Sequence, residues 1–367
     1  MLTLRLIFLM LLWIPSAYAH QASTAFLTGV IGNDAVLQAD FQLRLFDLER
    51  VIGIDSNHNG QMTWGELLQH KNEIAIYLKR HFSVEQNQQN CTVNMPANWS
   101  IDSHYGESYL SIPVKIICQE IGLFTIYYSA FMELDSQHKL LINLSYDDQS
   151  ISTLVASNLR FADINPTINS SFSTMATFIV EGMVHIWKGL DHVLFLFTLL
   201  LTSVLIRVDG KWLPQPSTRS ALKQAALLAS MFTLAHSITL TATALKLVVL
   251  PSYWVELGIA FSVAIAALNN IWPMVRQVSL LVFVFGLLHG MGFASVLAEL
   301  LSDGGALPLL TVVAFNIGVE LGQLVIVIIA LPALLILRGR SWYPKWIMNT
   351  SSLGIAATAG WWIIARS

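Results

Sequence analysis

Ionisable residues stand where an apolar run should exclude them. HIWKGLDH, His185 to His192, lies within a stretch long enough to cross a bilayer, yet it holds two histidines, a lysine and an aspartate. His236 follows in FTLAHSITL and His289 in FGLLHGMGFA, while Asn316, Glu320 and Gln323 lie in FNIGVELGQL. A charged side chain at mid-membrane costs roughly 2.5–3.5 kcal/mol on insertion scales, so such residues mark function by default. Imidazole beside carboxylate suits nickel, cobalt, zinc or iron rather than magnesium or calcium. The metal path expected from these residues is His185, Asp191, His192, His236, His289, Asn316 and Glu320.

Helical geometry sorts the set. Asn316, Glu320 and Gln323 are spaced i, i+4, i+7 and share a face, and Thr233, His236, Thr239 and Thr243 form a similar stripe. His185 and His192 also share a side, but a straight helix holds them about 10.5 Å apart. Asp191 points about 100° away from His192. Either Gly189 breaks the span or the two histidines serve successive positions on a path. Each residue also has a plainer reading. A lone intramembrane His or Asn is often interhelical glue, Lys188 can neutralise Asp191, and Glu181 and Glu256 can be interfacial. Glue is a poor account of four histidines with several carboxylates.

A second constellation is DSNHNGQMTWGE, Asp55 to Glu66. It follows the EF-hand loop pattern, with Asp55, Asn57 and Asn59 at positions 1, 3 and 5, Gly60 at 6, Gln61 at 7, Thr63 at 9 and Glu66 at 12. Only Asp55 and Glu66 bring charge, so weak, structural calcium binding is expected. Cys91 and Cys118 are the two cysteines of the chain, and a disulfide between them suits an oxidising compartment. His20, as a mature N-terminus, would offer an amine and an imidazole to copper or nickel; an accident of the cleavage site is the plainer reading.

The elements that must hold these residues follow from composition. The 367-residue chain is 54% hydrophobic and 12% charged, with mean hydropathy +0.59, far from the roughly 25% charge of soluble domains. A net charge of −3 gives no reason to expect nucleic acid. Residues 1–19 read as a signal peptide, with Arg5, the apolar LIFLMLLWI and Ala17-Tyr18-Ala19. Residues 20–170 read as an exported, β-rich domain, a small antiparallel sandwich, with an EF-hand-like helix-loop-helix inserted at 41–82. Residues 175–367 read as an α-helical polytopic membrane domain. Six transmembrane helices are expected at 176–206, 222–246, 255–272, 278–300, 307–337 and 346–365. Basic residues after spans 1, 3 and 5 put those loops in the cytoplasm. Both the exported domain and the C-terminus then lie outside a bacterial inner membrane.

The span motifs, with the segment around Glu256, resemble the HupE/UreJ family in its branch with a large exported N-terminal domain. AHQAS at the mature start is also similar. The first-span pattern of that family, HPxxGxDH, maps onto His185, Gly189, Asp191 and His192, with Ile186 where the pattern has Pro. The second pattern, FHGxAxGxE, matches LHGMGFASV around His289 only in His-Gly. The resemblance implies a nickel or cobalt permease; the ligand chemistry also admits zinc or copper. No Walker motif is present, so secondary transport or channel-like flux is expected. Asp191 or Glu320 is then the candidate proton partner. The bilayer and the ion are the expected partners, with a periplasmic protein a further possibility for the exported domain. Two alternatives compete: an intramembrane zinc-dependent hydrolase with Ser237 or Ser295 as accessory groups, and a metal sensor or assembly subunit.

Overall fold

The computed structural model describes residues 23–104, 107–147, 149–157, 159–166, 171–208, 211–245, 247–248, 250–275, 277–292 and 307–366. The expected leader and His20 lie outside them. Two compact units share the chain, one running to Thr177 and the other starting at Phe178 and including Val312 onward.

The first unit is two facing sheets. β1 (Thr24–Ile31) and β2 (Val36–Arg44) form the expected hairpin. Three helices follow, α1 (Leu45–Ile52), α2 (Trp64–Gln69) and α3 (Lys71–His81). Then come β3 (Phe82–Gln86), β4 (Gln89–Asn90), β5 (Thr92–Asn94), β6 (Ser100–His104) and β7 (Glu107–Ile117). The last are β8 (Phe124–Tyr128), β9 (Lys139–Tyr146), β10 (Gln149–Ala156) and β11 (Phe161–Ile164). The larger sheet runs β10-β9-β1-β2-β7-β5, with β6 also on β7; the smaller runs β11-β8-β3-β4. Phe41 of β2 meets Phe82 and Tyr128 of the other sheet at ring distances of 5.0 and 5.9 Å.

Two expectations change here. The larger sheet is mixed, because β1 and β9 pair in parallel. From Lys139 to Leu144 every residue of β9 is buried, and covering both faces of a strand is what suits it to parallel pairing. The helical insert begins at Leu45, not at residue 41. Phe41 and Leu43 alternate with Gln42 and Arg44 and face Ile112 and Leu110 of β7, so the strand period prevails until Arg44. Cys91 and Cys118 are bonded, with Cα atoms 4.7 Å apart.

The second unit is helical. α4 (Ser171–Lys188, in this unit from Phe178) and α5 (Leu190–Ser203) meet at a 71° bend. A hairpin of β12 (Leu205–Val208) and β13 (Lys211–Pro214) follows. The remaining helices are α6 (Thr218–Ala244), α7 (Ser252–Ile271), α8 (Val278–Gly292), α9 (Leu307–Leu337) and α10 (Asn349–Arg366), the last entered through a π-helical turn at Tyr343–Met348. Three described helices are long and apolar enough to cross a membrane, and the bent pair makes a fourth if it counts as one span. α8 is apolar but short as described, since residues 293–306 lie outside the described residues. The protein is a membrane protein; Ile329 and Ile336, 73% and 78% exposed, present an apolar exterior that lipid would cover.

Small residues bring the helices close. A Cβ on Gly182 would meet the backbone of Phe315, Gly318 and Val319, so α4 and α9 touch backbone to backbone. Gly286 and Gly290 do the same for α8 against Phe232, Ala235, His236 and Thr239 of α6. Without a hydrophobic drive between helices in lipid, such close approach is how they associate.

Candidate metal centre

Gly189 ends α4 and starts α5. Its amide donates to the His185 carbonyl at 2.8 Å, and its own carbonyl accepts from Val193 at 3.1 Å. Its φ of −71° is open to any residue, so space and not backbone freedom requires glycine. A Cβ there would lie 2.6 Å from His192 Nδ1 and 2.9 Å from the His185 carbonyl oxygen. The bend answers the spacing problem in HIWKGLDH. Rings that a straight helix would hold about 10.5 Å apart have centroids 4.8 Å apart.

His236 of α6 and His289 of α8 complete the group. The His192 ring lies 6.1 Å from that of His236 and 5.0 Å from that of His289. One nitrogen each from His185, His192 and His236 lies within 4.8 Å of the others. Three nitrogens on one tetrahedral ion with bonds of about 2.0–2.1 Å sit roughly 3.3 Å apart, so small ring movements suffice to close the group on an ion.

The outer hydrogen bonds orient these rings. Nδ1 of His192 lies 3.0 Å from Asp191 Oδ1, and Nδ1 of His289 lies 2.8 Å from the Phe285 carbonyl. Both contacts need Nδ1–H as donor, which leaves an Nε2 lone pair on each ring. Both of those Nε2 atoms are buried without a hydrogen-bond partner, as are both His236 nitrogens. This carboxylate or carbonyl behind imidazole is how metal-ligating histidines are held. Asn316 of α9 lies beside His236, its buried Oδ1 without a hydrogen-bond partner. Phe195, Phe232 and Phe315 wall the group, with ring distances of 5.3 Å from Phe195 to His289 and 5.5 Å from Phe315 to His185. An aromatic wall excludes water and strengthens every interaction inside it.

The other expected residues are placed differently. Lys188 is exposed, and the carboxylate of Asp191 pairs with His192. Glu320 is exposed and lines a separate groove of about 500 Å³ between α6 and α9. Gln323 is buried and accepts from Thr233 Oγ1 at 2.9 Å. Ser295 lies outside the described residues.

The Asp55 loop joins α1 to α2. Asp55 accepts from the amides of Asn59 and Gly60 at 3.2 and 2.7 Å, Asn57 from Asn59 at 3.0 Å, and Asn59 from Gln61 at 2.7 Å. The side-chain oxygens therefore turn inward along the loop. Gly60 has φ 78°, the left-handed region that favours glycine. Glu66 accepts from Thr63 N and Oγ1 at 2.9 and 2.7 Å, in a capping box that starts α2, and these bonds lower its pKa.

One buried polar chain had no sequence signal, because its members are up to 115 residues apart. Ser23 Oγ donates to Asp47 at 2.5 Å and contacts His138 Nδ1, whose Nε2 accepts from the Tyr128 hydroxyl at 2.7 Å. Burial pushes His138 down to about 3 and raises Asp47 and Tyr128. The chain ties the start of β1 to α1 and to the segment that leads into β9.

A family model described as HupE / UreJ protein matches residues 163–366, more than half of the chain and all of the helical unit from Phe178 to Arg366. No curated protein matches.

Proposed function

The chain belongs to the HupE/UreJ family, and from that premise we propose that it is a permease for a divalent transition metal, with nickel or cobalt as cargo. The family is associated with nickel and cobalt transport. The observation that carries the finer reading is the approach of His185, His192 and His236 nitrogens to within 4.8 Å of one another, beside His289 and Asp191. Imidazole donors in a water-poor interior favour nickel, cobalt, zinc or copper over the abundant hard cations. Secondary transport or channel-like flux drives the ion inward, with Asp191 countering its charge. The leader 1–19, six spans, an outside first unit and outside C-terminus, and a bacterial inner membrane complete this reading. Calcium held by Asp55, Asn57, Asn59, Gln61, Thr63 and Glu66 is the structural ion of the first unit.

Nickel binding and nickel influx in proteoliposomes holding the full chain test this. Wild-type protein should bind about one tight nickel and admit it, while His236→Ala should lose both. Cell nickel or cobalt should rise with the protein and not with His192→Ala. A protein that neither binds nor moves nickel, cobalt or zinc, or that turns over lipid or peptide through His192 with no change in cell metal, overturns the reading.

A further inference from the structure

The groove between α6 and α9 has no part in the histidine group, yet it begins one turn away. Thr233 lies three residues before His236, and Gln323 lies seven after Asn316, the neighbour of His236. Two of the groove's lining side chains, Thr233 and Gln323, are buried and joined by a hydrogen bond of 2.9 Å. On the groove side, Ser230, Thr233, Gln323 and Glu320 bring oxygen to one end, and Val327 and Leu331 are among the apolar residues that line the rest. Its volume of about 500 Å³ has room for on the order of 15 waters at about 30 Å³ each.

Direction comes from the charges. The groove follows α6 from Leu222 to Thr233 and α9 from Glu320 to Leu335. Arg219 and Lys223 stand at that end of α6, and Arg338 and Arg340 just beyond α9. Basic residues collect on the cytoplasmic side, so the groove occupies the cytoplasmic half. From Gln323 to Leu335 is about 18 Å of helix, roughly half a bilayer.

We propose that this groove is the cytoplasmic release vestibule for the ion, that Glu320 with the Thr233 and Gln323 oxygens forms a second, oxygen-donor cation site there, and that the Thr233–Gln323 hydrogen bond is the gate between the two sites. The proposal rests on the permease reading. Its chemistry is a step down in affinity: carboxylate, amide and hydroxyl oxygens hold nickel or cobalt less tightly than imidazole does. Conduction needs sites that release as well as capture. An ion leaving the histidines breaks the Thr233–Gln323 bond by taking the Gln323 oxygen, and Glu320 then balances its charge at the mouth of a wet groove.

Nickel influx, nickel binding and thiol labelling test this on the full chain. Both natural cysteines are tied in the Cys91–Cys118 disulfide, so one introduced thiol is the sole target. In vesicles with the cytoplasmic face outward, Ser230→Cys and Leu331→Cys should react with a membrane-impermeant maleimide, and nickel should slow the reaction at 230. Ile329→Cys, which does not line the groove, should not react. Glu320→Gln should cut initial nickel influx about tenfold while still holding the tight nickel, which also reports that it folds; Glu320→Asp should restore most of the flux. Wild-type flux in Glu320→Gln overturns the proposal, as does labelling of Ser230→Cys only by permeant N-ethylmaleimide, the sign of a lipid chain in the groove. A wild-type protein with no tight nickel overturns the permease reading instead.

Discussion

Gly189 decides whether two histidines seven residues apart can meet. With a methyl group there, His192 Nδ1 must leave its place beside Asp191, because the added Cβ would stand 2.6 Å away. Gly189→Ala should therefore weaken nickel binding about 10–100-fold, the usual cost of disturbing the groups behind a metal ligand, with helix content unchanged by circular dichroism. Wild-type affinity in that variant would mean that the bend does not set the site. In the first unit the decisive residue is His138. An unfolded histidine takes a proton near pH 6.5, while the buried one refuses it until about 3. Below pH 6.5 the unfolded chain binds more protons, so stability should fall with acid by up to about 1.4 kcal/mol per pH unit. Asp47 acts in the opposite sense. Its raised pKa means that the folded state keeps a proton the unfolded state loses, which offsets part of the decline at the acid end. Amide-exchange protection factors in β1 and β9 of the full chain, taken relative to the intrinsic rate at each pH, should fall from pH 6.5 to 4.5, and His138→Gln should flatten that profile.

At the scale of elements, the Asp55 loop shows how local signals become geometry. The spacing of Asp55, Asn57 and Asn59 places each side chain where it accepts from an amide two to five residues on, and Thr63 with Glu66 starts α2. A site of about 10⁻⁴–10⁻³ M saturated with 10 mM calcium should add about 1.4–2.7 kcal/mol to the first unit. Melting of the full chain with calcium and with chelator measures this, and Asp55→Ala should abolish the difference. If Asp55→Ala keeps the difference, calcium acts elsewhere. The same scale explains the close helix pairs. Gly182 and Gly318 let α4 and α9 touch, and Gly290 seats α8 on the backbone of His236, so the histidines of four helices converge because their neighbours are small.

Across the whole molecule, among the described residues, four imidazoles gather in the helical interior with Asp191 as their carboxylate, whereas Glu320 lines a groove and the Asp55 side chains line a loop. That arrangement suits the proposed transport of a borderline ion and the proposed structural calcium. Without a nucleotide-binding motif, nickel influx into proteoliposomes should follow an imposed potential or proton gradient and ignore ATP. Influx that requires ATP would contradict the scheme at this scale.

The sequence alone determined that the chain has a polar, strand-rich part and an apolar, helical part. It also marked the inward-turned side chains of the Asp55 loop by spacing and the histidines of the helical part by residue type. Those features are legible because they rest on period and composition, which are local. The tertiary structure decided the rest. That His185 and His192 share a site depends on a 71° bend at Gly189, and a linear motif does not set an angle. That His236 and His289 join them, and that Glu320 does not, depends on which helices the glycines bring together. The parallel pairing of β1 with β9, and the chain from Asp47 through Ser23 and His138 to Tyr128, link residues more than a hundred positions apart. Nothing in a local pattern encodes such contacts; they are chosen by the burial of both faces of β9 and by the need of buried polar groups for partners.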